Sequence, residues 1–129
     1  MKSTVVPFRN GIMLSVAAGL AESRDLKKVM MANHFGDHAV YPDCREEFVN
    51  NMSAAIAAGT YAGITIDAPY TNISKADIAR KGKALGIDYS ETWSCYKGGK
   101  IHCGKCATCL ERKAALAEAG INDTTEYEA

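Results

Sequence analysis

Four cysteines in the last third of the sequence place the strongest constraint on what this chain can fold into. They follow the spacing Cys-x7-Cys-x2-Cys-x2-Cys and are Cys95, Cys103, Cys106 and Cys109. A two-residue gap lets two thiolates from one tight turn reach a common centre, and Gly104 permits such a turn. Four sulfur ligands complete a tetrahedron without an open position, which is the arrangement of structural zinc. The pattern therefore predicts one structural zinc ion.

Three other interpretations of the cysteines stay open: an iron–sulfur cluster, a redox pair, and buried cysteines without a metal. Bacterial ferredoxin spacing ends in Cys-Pro, which is missing here. A redox Cys-x-x-Cys pair belongs near a strand–helix unit, and no predicted strand leads into these cysteines. His102, beside Cys103, is a further candidate ligand in place of one thiolate. Cys44 stands apart in the sequence, and we expect it to be a small, half-buried residue.

The composition is that of an ordinary globular protein of one compact domain. The chain has 129 residues, of which 47% are hydrophobic, and its 15 basic and 15 acidic residues cancel. Net neutrality argues against strong non-specific attraction to nucleic acid or to an anionic membrane. No apolar stretch approaches the roughly 18 to 20 residues of a membrane span, and the start of the chain lacks a signal-peptide pattern. We therefore expect a cytoplasmic protein without a membrane partner.

Apolar spacing and capping residues predict four helices. They cover residues 10–23, residues 45–58, a segment from Ser74 to a stop at Gly86, and a segment from Thr108 to Gly120. In the first helix, Ile12, Val16 and Leu20 recur every fourth residue and are predicted to be buried. In the last, Thr108 and Glu111 form a capping-box pattern. Cys109 would then lie in the first turn of the last helix.

Two short apolar runs, residues 29–32 and 63–69, predict strands between these helices. Strands that alternate with helices indicate a parallel α/β sheet. Two strands are too few for a self-sufficient parallel sheet, whose strands are normally covered on both faces. The chain is thus predicted to be part of a doubly wound domain. We expect a partial α/β nucleotide- and substrate-binding domain at 1–92, a zinc region with its helix at 93–118, and a mobile acidic tail at 119–129.

Polar residues collect where the predicted strands end, which is where open α/β sheets bind their ligands. They are His34 and Asp37 after the first strand, Asp43 and Arg45 before the second helix, Asp67 at the end of the second strand, and Lys75 beyond it. Arg9 and Asn10 stand at the start of the first helix, a natural position for an anion or phosphate. For any single pair, a helix cap with a surface cation is an equally good interpretation.

Several phrases of the sequence together resemble the 7-cyano-7-deazaguanine synthases of queuosine biosynthesis. They are Val6-Pro-Phe-Arg-Asn10, Tyr41-Pro-Asp-Cys-Arg45, Ser74-Lys75, Thr92-Trp-Ser-Cys-Tyr96 and His102-Cys-Gly-Lys-Cys-Ala-Thr-Cys-Leu-Glu-Arg112. The resemblance covers nearly all of residues 5–118. It is specific because the cysteine spacing and Tyr-Pro-Asp-Cys-Arg occur in the same order and at suitable separation.

The resemblance implies a ligase with a doubly wound, Rossmann-like α/β fold of the PP-loop (HUP) type. Members of that family form 7-cyano-7-deazaguanine from 7-carboxy-7-deazaguanine and ammonia, with ATP and magnesium. The resemblance makes the four cysteines zinc ligands, and it places Arg9, Asn10, Asp43 and Arg45 on family motifs near the substrate and nucleotide pocket. It assigns no catalytic residue.

One family motif has no counterpart here. The Ser-Gly-Gly-x-Asp-Ser loop that binds ATP is absent from the 129 residues, and their only adjacent glycine pair is Gly98-Gly99 in the cysteine loop. Without that loop, independent ATP-dependent catalysis is not expected. The resemblance therefore implies the C-terminal portion of such an enzyme, either as a fragment or as one half of a split enzyme that needs a PP-loop-bearing chain. A homo-oligomer is another way to complete the sheet.

A different class of function also fits the cysteine region. Between Trp93 and Lys113 the chain carries five basic residues against one acidic residue, Glu111. A basic zinc knuckle is suited to single-stranded RNA or to a protein partner. Only Trp93 and Tyr96 supply aromatic rings there, which is few for stacking bases. Nucleic acid is therefore the less expected partner.

Overall fold

The structure, a computed structural model, describes residues 5–128. Residues 1–4 and 129, which belong to the predicted first domain and tail, lie outside the described residues. The chain divides into two compact units, Met1–Ser74 and Lys75–Ala129. This division lies earlier than the predicted domain boundary at residue 92.

The first unit contains a two-stranded parallel sheet with its helices. Its elements are α1 (Arg9–Ser23), β1 (Lys28–Met30), α2 (Glu46–Gly59) and β2 (Thr65–Asp67), with short 3₁₀ turns at Phe35–Asp37 and Pro42–Cys44. The register pairs Val29 with Ile66. Parallel neighbours need a long crossover, which α2 supplies. The parallel α/β arrangement confirms the prediction, although both strands are shorter than the apolar runs suggested.

The core of this unit lies between α1, α2 and the sheet. Leu14, Ala18 and Ala21 of α1 meet Ile56 of α2 and the fully buried Ile64. Five further apolar side chains pack around them: Val29, Met31, Phe48, Met52 and Ile66. The apolar pattern of α2 thus faces the core as predicted.

The packing face of α1 differs from the prediction. Ile12, Val16 and Leu20 were expected to be buried, but they are 57%, 70% and 56% exposed. The helix is apolar on both sides, so its spacing alone could not select the inner face. The small Ala18 and Ala21 face inward and let the helix lie close to the sheet.

The second unit contains α3 (Lys75–Ala84), a 3₁₀ turn at Tyr89–Glu91, a loop over residues 92–106, and α4 (Ala107–Glu118). This loop carries Cys95, Cys103 and Cys106 and is called the cysteine loop. Both helices pack against each other, which explains why the unit begins at α3. The predicted cap of α4 at Thr108 is wrong, because the helix begins at Ala107 and its N-cap is Cys106, two residues before Thr108. Thr108 instead contacts the Cys106 sulfur at 3.3 Å. Cys109 lies in the first helical turn as predicted.

The end of the chain was predicted to be a mobile tail, and in the structure it is hydrogen-bonded to the cysteine loop. The amide of His102 donates to the Glu126 carbonyl at 3.2 Å, and the amide of Glu128 donates to the His102 carbonyl at 2.8 Å. This pairing forms a short parallel bridge between His102 and Tyr127. Among residues 5–128, no helix combines the length and apolar character needed to cross a membrane.

Candidate metal centre and ligand cleft

The four cysteines predicted from spacing converge in the second unit. Their sulfur atoms all lie within 4.8 Å of one another. A zinc–sulfur bond of about 2.3 Å in a tetrahedron sets neighbouring sulfurs about 3.8 Å apart, so a small contraction would complete the site. Cys95, Cys103 and Cys109 are buried, and Cys106 is half-buried.

Tight local turns bring these sulfurs together. Gly104 has φ +68°, a conformation that favours glycine, and it reverses the chain between Cys103 and Cys106. The amide of Cys106 donates to the Cys103 sulfur at 3.3 Å, and the amide of Cys103 donates to the Cys95 sulfur at 3.4 Å. Backbone donors of this kind stabilise thiolates.

The protonation of the cluster favours a cation. The hydroxyl of Thr108, helped by the backbone of Tyr96, lowers the pKa of Cys106 to about 5. Backbone amides of Lys105 and Cys106 lower the pKa of Cys103. Burial and the neighbouring thiols raise the pKa of Cys109 to about 12. Four thiolates this close together repel one another unless a cation lies between them. Four sulfur donors are a ligand set that fits zinc, and zinc binding would displace the remaining protons.

His102, the alternative ligand, is engaged elsewhere. Its Nε2 accepts a hydrogen bond from the amide of Ser94 at 3.0 Å, and its ring lies 4.3 Å from that of Trp93. Burial, followed by the charge of Arg112, lowers the pKa of His102, which keeps the ring neutral. His102 therefore stabilises the loop that carries the cysteines.

Arg112 was predicted only as one of several basic residues, but it is a buried anchor. It is 7% exposed. Its guanidinium donates to the Tyr89 carbonyl, to Ser94 Oγ at 3.3 Å and to Thr125 Oγ1 at 2.8 Å. It thereby joins three segments around the cysteines. Its position on the same face of α4 as Cys109, three residues after that cysteine, is the sequence signal for this role.

A separate cleft of about 380 Å³ lies in the first unit, beside α1 and the carboxyl end of β1. Polar residues on its wall include Arg9, Asn10, Asn33, Asp37 and Cys44. Apolar walls come from Met13, Leu14, Ala17, Val29, Met30, Met31 and Ala32. A largely apolar cleft with a few convergent polar groups is the usual form of a small-molecule site.

Asp43 lies behind this wall and caps α1. The N-cap residue Phe8 has φ +54° and gives the helix no side-chain cap. Asp43 Oδ2 accepts from the amide of Asn10 at 2.9 Å instead. The Asn10 side chain in turn donates to the Asp43 carbonyl and contacts the Cys44 sulfur at 3.3 Å. The segments Arg9-Asn10 and Asp43-Cys44 are therefore in contact in the fold.

His34 fixes the orientation of Asp37 at the cleft. Its Nδ1 accepts from the amide of Gly36 at 3.1 Å, and its Nε2 lies 3.2 Å from Asp37 Oδ2. The first contact leaves the proton on Nε2, so a neutral His34 donates to the carboxylate.

Three other predicted ligand residues lie away from the cleft wall. Arg45 is exposed and donates to the His38 carbonyl at 2.9 Å. Asp67 pairs with Lys28 at 3.5 Å on the surface. Lys75 belongs to the second unit and pairs with Glu111 at 2.6 Å.

The sequence interpretation missed two cleft residues, Asn33 and Cys44. Asn33 is buried and donates to the Cys44 carbonyl at 2.7 Å and to Thr71 Oγ1 at 3.1 Å. Its place just after β1 was a signal for it. Cys44 was expected to be half-buried but is 7% exposed. Burial, with the charges of Asp37 and Asp43, raises the pKa of its thiol to about 11.

Comparison with known proteins identifies a family for this chain. The family described as "Queuosine biosynthesis protein QueC" matches residues 1–120. A 7-cyano-7-deazaguanine synthase of Porphyromonas gingivalis ATCC 33277 is 69% identical over 128 residues, covering 99% of this chain and 58% of the relative. Synthases of Desulfotalea psychrophila and Agrobacterium fabrum are each 51% identical, over 98% and 99% of this chain and 58% and 55% of theirs. The chain thus spans somewhat more than half the length of these relatives.

The match includes the cysteine cluster of the second unit and the cleft residues of the first. The chain belongs to the QueC family of queuosine biosynthesis proteins.

Proposed function

We propose that this chain is the zinc-bearing, substrate-binding portion of an ATP-dependent ligase that forms 7-cyano-7-deazaguanine from 7-carboxy-7-deazaguanine and ammonia. The observation that carries this proposal is the cleft at the carboxyl end of β1, where Arg9, Asn10 and Asp37 from separate segments converge. Relatives that are 69% and 51% identical over nearly the whole chain are named 7-cyano-7-deazaguanine synthases.

The cleft residues suit a flat, polar, anionic substrate. The guanidinium of Arg9 would pair with a carboxylate or with a phosphate that carries growing charge. The carboxylate of Asp37, held by His34, would accept hydrogen bonds from ring or amino N–H groups. Asp43 would act by holding Asn10 and the start of α1 in place. Arg45 and Asp67, which lie outside the cleft wall, would serve at its margin, and Lys75 of the second unit has no part in this proposal.

The zinc ion would be structural. Four cysteine ligands leave no open coordination position, so the metal would join the cysteine loop to the first turn of α4. ATP, with its magnesium, would enter as a co-substrate. Among the described residues the only cluster of at least three potential metal-ligating side chains is that of the four cysteines.

The remaining part of a doubly wound domain would cover the outer side of α1. Ile12, Met13, Val16 and Leu20 expose 56–70% of their surface along this helix, and Met30 is 70% exposed. Exposed apolar surface of this extent is typical of an interface. Because the 129 residues contain no Ser-Gly-Gly-x-Asp-Ser loop, we propose that a PP-loop-bearing segment or chain packs here and that this chain alone is inactive.

An activity assay tests this proposal. The chain would be mixed with 7-carboxy-7-deazaguanine, ammonia and ATP, either alone or together with the part of the Porphyromonas gingivalis synthase that it does not match. Mass spectrometry would detect the nitrile. We expect product only in the combined reaction, less of it with Asp37→Asn, and no change with the surface control Asp25→Asn. Absence of nitrile in both reactions would refute the activity.

The alternative, a zinc knuckle that binds RNA or a protein, receives less support from the second unit. Arg112 is buried, and Lys113 lies 4.0 Å from the centre of the Tyr127 ring. The Trp93 ring packs on His102, and its Nε1 donates to the Cys95 carbonyl at 2.8 Å. These groups serve the internal structure of the unit. A salt-sensitive RNA shift that Lys97→Ala and Lys100→Ala together abolish would favour the alternative.

A further inference from the structure

The segment 121–128 follows α4 and returns to the cysteine loop. Its side chains alternate between half-buried and exposed: Ile121, Asp123, Thr125 and Tyr127 are half-buried, whereas the residues between them are exposed. Alternation of this kind is that of an extended segment with one face against the protein. Two backbone hydrogen bonds with His102, the residue before the Cys103 ligand, hold this face in place.

Tyr127 packs directly on the cysteine loop. It packs against the cluster formed by Cys95, Cys103 and Cys109. A Cβ atom at Gly104 would come within 3.4 Å of the Tyr127 side chain, so the ring rests on the turn that positions two ligands. Lys113 completes this contact, because its Nζ lies over the Tyr127 ring and donates to the Gly104 carbonyl at 3.3 Å.

A network of polar contacts fixes the segment in this position. The Tyr127 hydroxyl donates to Asp123 Oδ2 at 2.6 Å, and the Asp123 Oδ1 accepts from the amide of Thr125 at 3.0 Å. Thr125 Oγ1 in turn accepts a hydrogen bond from the buried guanidinium of Arg112 at 2.8 Å. Each half-buried polar side chain of the segment therefore has a defined partner, either within the segment or on α4.

From these contacts we infer that residues 121–128 form a strap that closes over the four-cysteine site and limits the rate at which its metal leaves. The inference rests on the proposed zinc site and not on the synthase activity. A chelator or a competing thiol must reach the sulfur atoms to remove the ion. Cys106 is half-buried, but Cys103 and Cys109 are 1% and 0% exposed with the strap in place, so displacement of these two ligands requires the strap or the loop to open.

Zinc release to excess chromogenic chelator tests the strap on the intact chain. We expect Tyr127→Ala to release zinc roughly 10-fold or more faster than the wild type, in the range found for groups that support metal ligands. Tyr127→Phe loses only the hydrogen bond to Asp123, so its rate of zinc release should lie between those of the wild type and Tyr127→Ala. Glu126→Ala is the matched control, because its side chain is exposed on the other face of the same segment.

Thr125→Val and Thr124→Val form a second matched pair, in which only the first loses a contact to Arg112. The rate of global unfolding, followed by circular dichroism under the same conditions, distinguishes strap opening from general loss of structure. Zinc release that is faster than in the wild type, and also faster than global unfolding, in Tyr127→Phe and Thr125→Val supports the strap. Rates equal to wild type in both, or release that only tracks unfolding, overturn it. A wild-type chain that binds no zinc would refute the metal site itself.

Discussion

The backbone amide of Asn10 donates a hydrogen bond of 2.9 Å to the side chain of Asp43, which is 33 residues away in the sequence. Helix α1 thus receives its side-chain cap from a distant segment, because its own N-cap residue Phe8 has a left-handed backbone and no side-chain acceptor. The same bond holds one wall of the cleft against the 3₁₀ turn Pro42–Cys44. Helix stability and cleft geometry are therefore coupled through one carboxylate.

Removal of this carboxylate should weaken the first unit. We expect Asp43→Ala to lower the free energy of unfolding by about 1–2 kcal/mol, as for loss of a helix cap. Asp43→Asn keeps an oxygen acceptor and should cost less. Urea denaturation followed by circular dichroism gives both values. Equal stability of Asp43→Ala and wild type would mean that the bond to Asn10 contributes nothing.

Metal removal should selectively unfold the second unit. The four sulfurs are held by a short loop and the first turn of α4, and a structural zinc site supplies folding free energy to such elements. We expect one zinc per chain by elemental analysis. After chelation, the amides of residues 109–116 should lose hydrogen-exchange protection, whereas those of α1 should keep it. Acid should promote zinc loss, since protons compete for the thiolates. Unchanged protection of residues 109–116 would contradict the prediction.

Replacement of Arg112 should destabilise the second unit more than replacement of a surface arginine. Arg112→Ala removes the hydrogen bonds to the Tyr89 carbonyl, Ser94 Oγ and Thr125 Oγ1 and opens a gap in a buried position, for which we expect a loss of about 2–4 kcal/mol. Arg112→Lys keeps the charge but lacks the planar guanidinium with its several N–H donors. It should therefore retain only part of the stability that Arg112→Ala loses. Arg80 is half-exposed and pairs with Asp77 at the surface, so Arg80→Ala should cost less than about 1 kcal/mol. Similar losses for the two alanine variants would argue against the anchor role.

The Cys44 thiol should be unreactive near neutral pH and should make stability depend on alkaline pH. Burial raises its pKa from 9.0 to about 11 in the folded chain. Below pH 9 the thiol is protonated in both states, and its contribution to stability is complete. Between pH 9 and about 11 only the unfolded state loses the proton, so the free energy of unfolding should fall as the pH rises.

Comparison with Cys44→Ala isolates this contribution, because other groups that titrate in the range remain in both proteins. The wild type should lose more stability than the variant between pH 9 and pH 11. Alkylation of the zinc-loaded chain at pH about 8 should leave Cys44 unmodified, as only the thiolate reacts. Parallel pH profiles, or rapid alkylation of Cys44, would show that the thiol is not held in its neutral form.

The outer face of α1 offers a test that separates folding from assembly. Val16 is 70% exposed, so Val16→Lys should leave the unfolding of the isolated chain unchanged within about 0.5 kcal/mol. We expect it to prevent assembly with a PP-loop-bearing segment, measured by co-purification. Ala18→Lys, on the buried face, is the contrasting variant and should unfold the first unit. Normal assembly of Val16→Lys would remove this face from the proposed interface.

The sequence by itself determined the elements whose signals are local. Cysteine spacing with Gly104 identified the four residues that converge, because a two-residue gap and a left-handed glycine already define the turn. Helix positions and the parallel order of the strands followed from apolar period and crossover length. The phrases around Arg9 and Asp43 also carried the family resemblance.

Only the tertiary structure decided which of these residues act together. Asp43 caps α1, Arg112 is buried among three segments, and Tyr127 packs on the cysteine loop. Each of these relationships joins residues that no periodic pattern connects. The inner face of α1 was ambiguous because both sides of the helix are apolar, and close packing of Ala18 and Ala21 on the core settled it. Local sequence signals determined the secondary-structure elements and the cysteine turn, whereas long-range packing and hydrogen bonds determined which residues contact one another.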